Sequence, residues 1–201
     1  MPNSRSIALQ REGDGAVGAG LEQNKNVRLV KLLPMSIKID PQATIQAIRN
    51  CIGKVVVDIV RVQYFYNDME DNDGFGDLEI TFVGDFHLTL IGGGDADSMM
   101  AENVKADIPK TFRLSDDDFA SWKSLDLKED QNWRKLIGQT LRSAEVEWNT
   151  YSNVPTFLSA CVLHFDTDYL TFYKTETDAN KFFLNQPLPG VDRPIKLEKV
   201  Q

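Results

Sequence analysis

Apolar side chains recur at helical spacing in one early stretch of the chain. Asp40 and Pro41 have the residue types expected of a helix N-cap and of a first helical position. The apolar residues that follow at helical spacing are Ile45, Ile48 and Ile52. Gly53 comes directly after them, and glycine is common just beyond a helix end. The pattern therefore predicts a helix that begins after Asp40 and ends at Gly53.

Three runs of β-branched and aromatic residues follow this helix and predict strands. They read KVVVDIVRVQYFY, DLEITFV and FHLTLI, with glycine and aspartate between them. The second and third runs predict a hairpin, because pairing Phe82 with Phe86 gives it one wholly apolar face. The apolar pairs are then Ile80 with Leu88 and Leu78 with Leu90. The opposite face carries the polar side chains Glu79, Thr81, His87 and Thr89.

The same order of elements returns 82 to 85 residues later along the chain. Ile52-Gly53 aligns with Ile137-Gly138, and Leu88-Thr89-Leu90 aligns with Leu170-Thr171-Phe172. These alignments predict a tandem duplication of a helix-strand-strand-strand unit. Chance similarity between two amphipathic units is the alternative. A lone unit would bury little apolar surface, so the two copies are expected to share one core or one continuous sheet.

The predicted elements indicate an α+β fold in which helices pack on one face of antiparallel sheet. Residues 1–34 are rich in glycine, asparagine, serine and charge, which predicts a flexible N-terminal extension. Residues 35–113 form the first predicted αβββ module, and residues 114–201 hold a connector helix and the second. Ser115 is the expected N-cap of that connector helix, which would carry Phe119 and Trp122.

The charge of the chain is concentrated in one segment. The chain as a whole has a formal net charge of −8, yet residues 58–130 hold 18 acidic and 6 basic side chains, a balance of −12 that leaves +4 elsewhere. Such a segment repels nucleic acid and anionic membranes and attracts basic proteins or cations. We therefore expect no nucleic-acid partner. The alternative is that the acids lie on solvated loops and serve solubility alone.

Length and composition describe an ordinary globular chain. No run of eighteen apolar residues occurs, and the first twenty residues lack the apolar block of a secretory signal. The sequence therefore predicts a cytoplasmic protein without a membrane partner. Cys51 and Cys161 are the only cysteines, and both have apolar neighbours. This predicts two buried free thiols and no disulfide.

The stretch NDMEDNDGFGD is rich in acids and has some features of a calcium-binding loop. Such a loop needs acids at positions 1, 3 and 5, glycine at 6 and glutamate at 12. With Gly74 at position 6, Asp71 and Asp73 fit. Met69 then falls at position 1 and Ile80 at position 12, so two defining ligands are missing. The sequence predicts a turn between strands, whose acids are a candidate for function because the corresponding stretch TYSNVP has none.

The sequence predicts no catalytic residue, no cofactor and no metal site. His87 and His164 are the only histidines, and neither the H-x-H nor the H-E-x-x-H spacing of zinc sites occurs. The stretch GGGDADS lacks the lysine of a phosphate-binding loop, and no G-x-S-x-G motif is present. A carboxylate pair for acid–base chemistry stays open, because any acid-rich chain contains candidates.

Acidic and aromatic residues together predict a surface that binds another protein. Tyrosines stand next to the acidic loop, and a second acidic cluster lies in the predicted connector. This is the composition expected of an interface, with core packing as the alternative for the tyrosines. The predicted partner-binding residues are Tyr64, Tyr66, Asp68, Glu70, Asp71, Asp73, Asp116, Asp117 and Asp118.

The succession of IGKVVVDIV, an acidic connection, GDLEITF and HLTLIGGGDADS resembles the small acidic immunity-type proteins of bacterial polymorphic toxin systems. The resemblance covers about residues 37–181 and carries over no catalytic residue. It implies a non-enzymatic module that neutralises a basic, nuclease-like toxin through an acidic surface. A structural α+β protein and a carboxylate-dependent enzyme are the alternatives.

Overall fold

The computed structural model describes residues 40–70, 76–92, 98–150, 156–175, 180–189 and 197–200. Strands hold 52% of these residues and helices 12%, with one α-helix. The predicted α+β class, with helices packed on one face of the sheet, is therefore wrong, and the described chain is mostly β. The predicted N-terminal extension and the loop acids Asp71 and Asp73 lie outside the described residues.

The described elements form a single succession of strands after one helix. They are α1 (Pro41–Arg49), β1 (Val56–Tyr66), β2 (Met69–Glu70), β3 (Leu78–Phe82), β4 (Phe86–Gly92), β5 (Met99–Glu102), β6 (Phe112–Arg113), β7 (Phe119–Asp126), the 3-10 helices η1 (Leu127–Glu129) and η2 (Trp133–Leu136), β8 (Ser143–Asn149), β9 (Phe157–His164), β10 (Tyr169–Lys174), β11 (Asn180–Leu184) and β12 (Leu197–Val200).

Two antiparallel sheets place their inner faces on one apolar core. The strand order is β5-β4-β3-β1-β7-β6 in the first sheet, where β2 also pairs with β1, and β11-β10-β9-β8-β12 in the second. Each sheet thus contains a four-stranded meander: the first meander is β1-β3-β4-β5 and the second is β8-β9-β10-β11. Both meanders and α1 contribute to the core, whose fully buried side chains include Phe82, Phe172, Ile48, Leu78 and Leu158.

Helix α1 begins where the sequence predicts. The Asp40 side chain accepts a hydrogen bond from Gln42 N at 2.9 Å, and Pro41 is the first helical residue. Its buried face consists of Thr44, Ile45, Ala47 and Ile48. The helix contacts β5 of the first sheet and β8 and β12 of the second. It therefore lies between the two sheets, and this position explains why it does not cover a sheet face as predicted. Among the described residues, no helix has the length and apolar character needed to cross a bilayer.

The β3–β4 hairpin has the predicted register, and that prediction is confirmed. Phe82 pairs with Phe86, and the same register pairs Ile80 with Leu88 and Leu78 with Leu90. The turn uses Gly84 at φ +87° and Asp85 at φ +60°, backbone conformations that glycine and aspartate tolerate best. Local pattern and turn chemistry agree here, which is why the sequence sufficed.

Two other predicted helices do not form as α-helices. Ser115 Oγ accepts hydrogen bonds from Asp117 N at 3.3 Å and Asp118 N at 3.1 Å, as an N-cap would. The chain nevertheless turns back at Asp118. Strand β7 begins at Phe119, because the residues after Asp118 pair with β1. In the second predicted module, the short 3-10 helices η1 and η2 precede Gly138 in place of an α-helix. The repeated unit is therefore a strand meander and not a helix-strand-strand-strand unit.

The two meanders meet through residues 53–56 and 138–141, which we call the two-fold contact. Four backbone hydrogen bonds cross it: Gly53 N to Leu141 O at 2.7 Å, Gly138 N to Val56 O at 2.9 Å, Val56 N to Gln139 O at 2.9 Å and Leu141 N to Lys54 O at 3.0 Å. Residues 85 positions apart are equivalent in this contact. Replacing each residue of the first bond by its equivalent gives the second bond, and the same replacement turns the third bond into the fourth. Gly53 and Gly138 also share φ values of +85° and +86°. The contact is therefore nearly symmetric.

Candidate functional site

The β1–β2 and β6–β7 turns meet at one end of the first sheet. Asn67 and Asp68 form the first turn with φ values of +47° and +62°, a left-handed conformation that these residue types tolerate. Asn67 Oδ1 accepts a hydrogen bond from Phe119 N at 2.8 Å, and Asn67 N donates to Phe119 O at 3.0 Å. The turn after β1 is thereby fixed to the beginning of β7.

Asp118 connects the two turns through its carboxylate. Oδ1 accepts hydrogen bonds from Tyr66 Oη at 2.7 Å and from Asn67 Nδ2 at 3.0 Å, and Oδ2 accepts one from Ser115 Oγ at 2.8 Å. These bonds, led by that from Tyr66, hold the pKa of Asp118 below its usual range. The same bond raises the pKa of Tyr66. Residues 66–70 and 114–118 therefore form one surface, which we call the hairpin platform.

The hairpin platform exposes apolar side chains beside carboxylates. Met69 is 66% exposed, Leu114 53% and Tyr66 39%. Asp116 and Asp117 are exposed next to them, and within the described residues neither forms an ion pair. The sequence pointed to Tyr66 and the acids, whereas Met69 and Leu114 were missed because single apolar residues in turns carry no periodic pattern.

The remaining predicted partner-binding residues that the structure describes are engaged within the chain. Asp68 Oδ1 lies 2.9 Å from Lys123 Nζ, and Glu70 Oε1 lies 2.5 Å from Arg61 Nη2. These partners reduce the negative charge that Asp68 and Glu70 present to another molecule. Tyr64 is half-buried and packs edge-on against Trp122, with ring centroids 5.1 Å apart. The structure thus places Tyr66, Asp68, Glu70 and residues 116–118 at one end of the sheet and assigns Tyr64 to packing.

The outer face of the first sheet holds a polar cluster, on the hairpin face that the sequence predicts to be polar. His87 Nδ1 lies 2.9 Å from Glu79 Oε1, and His87 Nε2 lies 3.1 Å from Asp85 Oδ1. Glu79 Oε2 accepts a hydrogen bond from Ala106 N at 2.9 Å. Residues 103–108 cover the cluster, so His87 and Glu79 are only 8% and 9% exposed. Carboxylates contact both ring nitrogens of His87. The imidazole therefore has a structural role and is not free to act as a general base.

The described residues provide little for a metal or for nucleophilic chemistry. In this part of the chain, no group of three or more His, Cys, Asp or Glu side chains could hold a metal ion. Cys51 and Cys161 are free and buried. Burial raises the pKa of Cys51 to about 11 and that of Cys161 to about 12. Both thiols are therefore protonated at neutral pH and are poor nucleophiles.

Two cavities of about 380 Å³ open in the described structure. The first is lined mainly by polar and charged groups, including Arg61, Asn132 and Lys135. It lies beside η2, which contributes Trp133 and Lys135 to its lining. Its Arg61 side chain is paired with Glu70. The second cavity lies on the outer face of the second sheet and has a largely apolar lining that includes Val162, Leu188 and Leu197.

Asp77 is a half-buried carboxyl group immediately before β3. Burial raises its pKa from 3.8 to about 6, which Lys174 opposes and Glu102 reinforces. A carboxyl group whose pKa is raised by folding holds its proton more tightly in the folded chain than in the unfolded chain. Its contribution therefore favours folding most below about pH 4 and is lost as the pH rises to about 6.

We expect Asp77→Asn to stabilise the folded chain at pH 7 by about 2 kcal/mol, since a raised pKa of this size corresponds to ~3 kcal/mol at most. The amide stays neutral, so the fall in unfolding free energy between about pH 4 and pH 6 should become shallower. Urea denaturation over this pH range measures both effects. Asp107→Asn, which changes an exposed acid, should shift stability by less than about 0.5 kcal/mol. Parallel pH profiles for wild type and Asp77→Asn would contradict the assignment.

Comparison with protein-family models, with curated proteins and with solved structures gives no match to this chain.

Proposed function

We propose that the chain is a non-enzymatic protein-binding module whose interface is the hairpin platform and whose partner is a basic protein. The observation that carries the proposal is the Asp118 carboxylate, which holds two turns together and so presents Met69, Leu114 and Tyr66 as one surface. A nuclease-like toxin is the basic partner that the sequence resemblance implies, and it is the specific form of the proposal.

Preorganisation supports binding at this surface. A loop that is ordered before association loses less conformational entropy when it binds. The turn at Asn67 is fixed by two hydrogen bonds to Phe119, and the turn at Ser115 is fixed by the Asp118 carboxylate. Both turns are thus held in place by the first sheet. The platform therefore has the rigidity expected of a recognition surface.

Charge and apolar area have separate roles in this proposal. Asp116 and Asp117 lie in a segment with a balance of −12, which would attract a cationic protein and accelerate encounter. Met69, Leu114 and Tyr66 supply the apolar and aromatic contacts that determine how long a complex persists. The two roles make different kinetic predictions.

We expect Asp116→Lys combined with Asp117→Lys to slow association with the basic partner about tenfold at low salt, because steering depends on exposed charge. The partner would be purified from the host by affinity capture and then measured by surface plasmon resonance at several salt concentrations. We expect Met69→Ala combined with Leu114→Ala to leave association nearly unchanged and to raise the dissociation rate about tenfold.

The matched control is Asp107→Lys combined with Glu129→Lys, which makes the same change in net charge at exposed positions outside the platform. It should slow association less than about threefold. If this control slowed association as much as the platform variant, the total charge and not the platform would govern binding. Unchanged kinetics in both platform variants would remove the proposal.

A further inference from the structure

The outer faces of the two meanders carry equivalent rows of residues. In the first meander, one row crosses Asp58, Thr81 and His87, and the next crosses Val60, Glu79 and Thr89. In the second meander, the corresponding rows are Ser143, His164 and Tyr169, and then Glu145, Val162 and Thr171. The two rows of each meander together form a grid of six residues. Each grid holds one histidine close to one glutamate, but the histidine and the glutamate occupy different positions in the two grids.

A covering segment crosses each grid and is attached in the same way. In the first sheet it is residues 103–108, and Thr89 Oγ1 donates to Val104 O at 2.6 Å. In the second sheet it is residues 186–189, and Thr171 Oγ1 donates to Gln186 O at 2.7 Å. Thr171 and Gln186 lie 82 positions after Thr89 and Val104. At the same offset, Leu188 corresponds to Ala106.

The space beneath the covering segment is filled in the first sheet. Glu79 extends from its row and accepts a hydrogen bond from Ala106 N at 2.9 Å. Its other oxygen lies 2.9 Å from His87 Nδ1. Carboxylate, imidazole and backbone amide satisfy one another, and this explains the low exposure of both side chains.

The same space is open in the second sheet. Val162 takes the position of Glu79, and its shorter apolar side chain cannot bond the covering segment. A cavity of about 380 Å³ is present there, lined by five of the six grid residues together with Pro187, Leu188 and Leu197. Its volume falls within the range of small-molecule sites, about 300 to 1,000 Å³.

We propose that this cavity binds a small apolar amine. The body of the ligand would pack on Val162, Leu188 and Leu197, and its ammonium group would face the Glu145 carboxylate. Glu145 Oε2 lies 3.4 Å from His164 Nε2, and in the described part of the chain no lysine or arginine lies within ion-pair distance of Glu145. An anionic ligand would be repelled by Glu145, whereas an ammonium group would give this carboxylate a charged partner beside the His164 ring and its cross-strand neighbour Lys199.

The test uses 2-phenylethylamine as the probe and the full chain as the protein. Isothermal titration calorimetry should show saturable binding of the amine at one site. The neutral isostere 2-phenylethanol should bind about tenfold more weakly because it lacks the charge, and 3-phenylpropionate should not bind. Glu145→Gln, which preserves shape and removes charge, should weaken amine binding about tenfold and leave the alcohol nearly unaffected.

Val162→Trp should abolish binding of both the amine and the alcohol, because the indole fills the cavity. Val83→Trp makes the same substitution at an exposed turn outside the cavity and should leave binding unchanged. Thermal unfolding verifies that each variant is folded, and Leu188→Trp replaces Val162→Trp if the latter does not fold. The proposal is overturned if wild type does not bind the amine, if the carboxylate binds as tightly, or if binding survives a folded cavity-filling variant.

Discussion

Gly76→Ala is expected to destabilise the folded chain by about 3 kcal/mol or more, although it adds only one methyl group. An added Cβ would lie 1.9 Å from Val62 O and 2.8 Å from Val62 C, both backbone atoms. The strand must therefore shift, which disturbs the hydrogen bonds from Val62 N to Asp77 O and from Asn180 Nδ2 to Gly76 O. Chemical denaturation monitored by tryptophan fluorescence measures the change in unfolding free energy.

Gly53→Ala and Gly138→Ala are matched controls for this prediction. Both glycines have φ near +85°, but an added Cβ has no neighbour within 4 Å at either position. Each substitution therefore meets only the conformational cost of a left-handed alanine, about 1 kcal/mol. If Gly76→Ala cost no more than these two variants, the close approach of Gly76 to Val62 would be wrong.

Glu79→Ala is expected to destabilise the chain by about 3 kcal/mol, because it leaves the buried groups around it without their partner. Glu79 bonds His87, Thr81 and Ala106 N, and it links two strands of the first sheet to the segment that covers them. Limited proteolysis should also detect faster cleavage within residues 103–108, since one of their attachments is lost. Equilibrium denaturation gives the energetic cost and proteolysis the location.

Two variants separate the role of this cluster from general charge effects. Glu79→Gln retains the length of the side chain and one acceptor oxygen, so its cost should be smaller, about 1 to 2 kcal/mol. Glu129→Ala removes an exposed acid and should change stability by less than about 0.5 kcal/mol. A cost for Glu79→Ala no greater than that for Glu129→Ala would show that the cluster contributes nothing to stability.

Local patterns predicted the parts of the fold that depend on neighbours in sequence. The start of α1 followed from Asp40 and Pro41, and the β3–β4 register followed from alternating side chains around a Gly-Asp turn. The connector was mispredicted because Ser115 makes the hydrogen bonds of an N-cap in either structure. The segment forms a strand because Ala120 pairs with Tyr66, which is 54 positions away in the sequence.

The candidate sites were predictable only in part, for a similar reason. The sequence showed that Glu79 and His87 share the polar face of a hairpin, and they do. It did not show that residues 103–108 cover that face, because this segment has no periodicity that assigns it to a surface. Nor could it show that Lys123 neutralises Asp68 or that Asp118 contacts Tyr66, since each pair joins residues more than 50 positions apart.

The symmetry of the two-fold contact has a consequence for association between molecules. Residues 53–56 donate two hydrogen bonds to residues 138–141 and accept the equivalent two from them. This is the arrangement of an isologous interface. The same four bonds would form if residues 53–56 of one molecule met residues 138–141 of another. A domain-swapped dimer would conserve this contact in full.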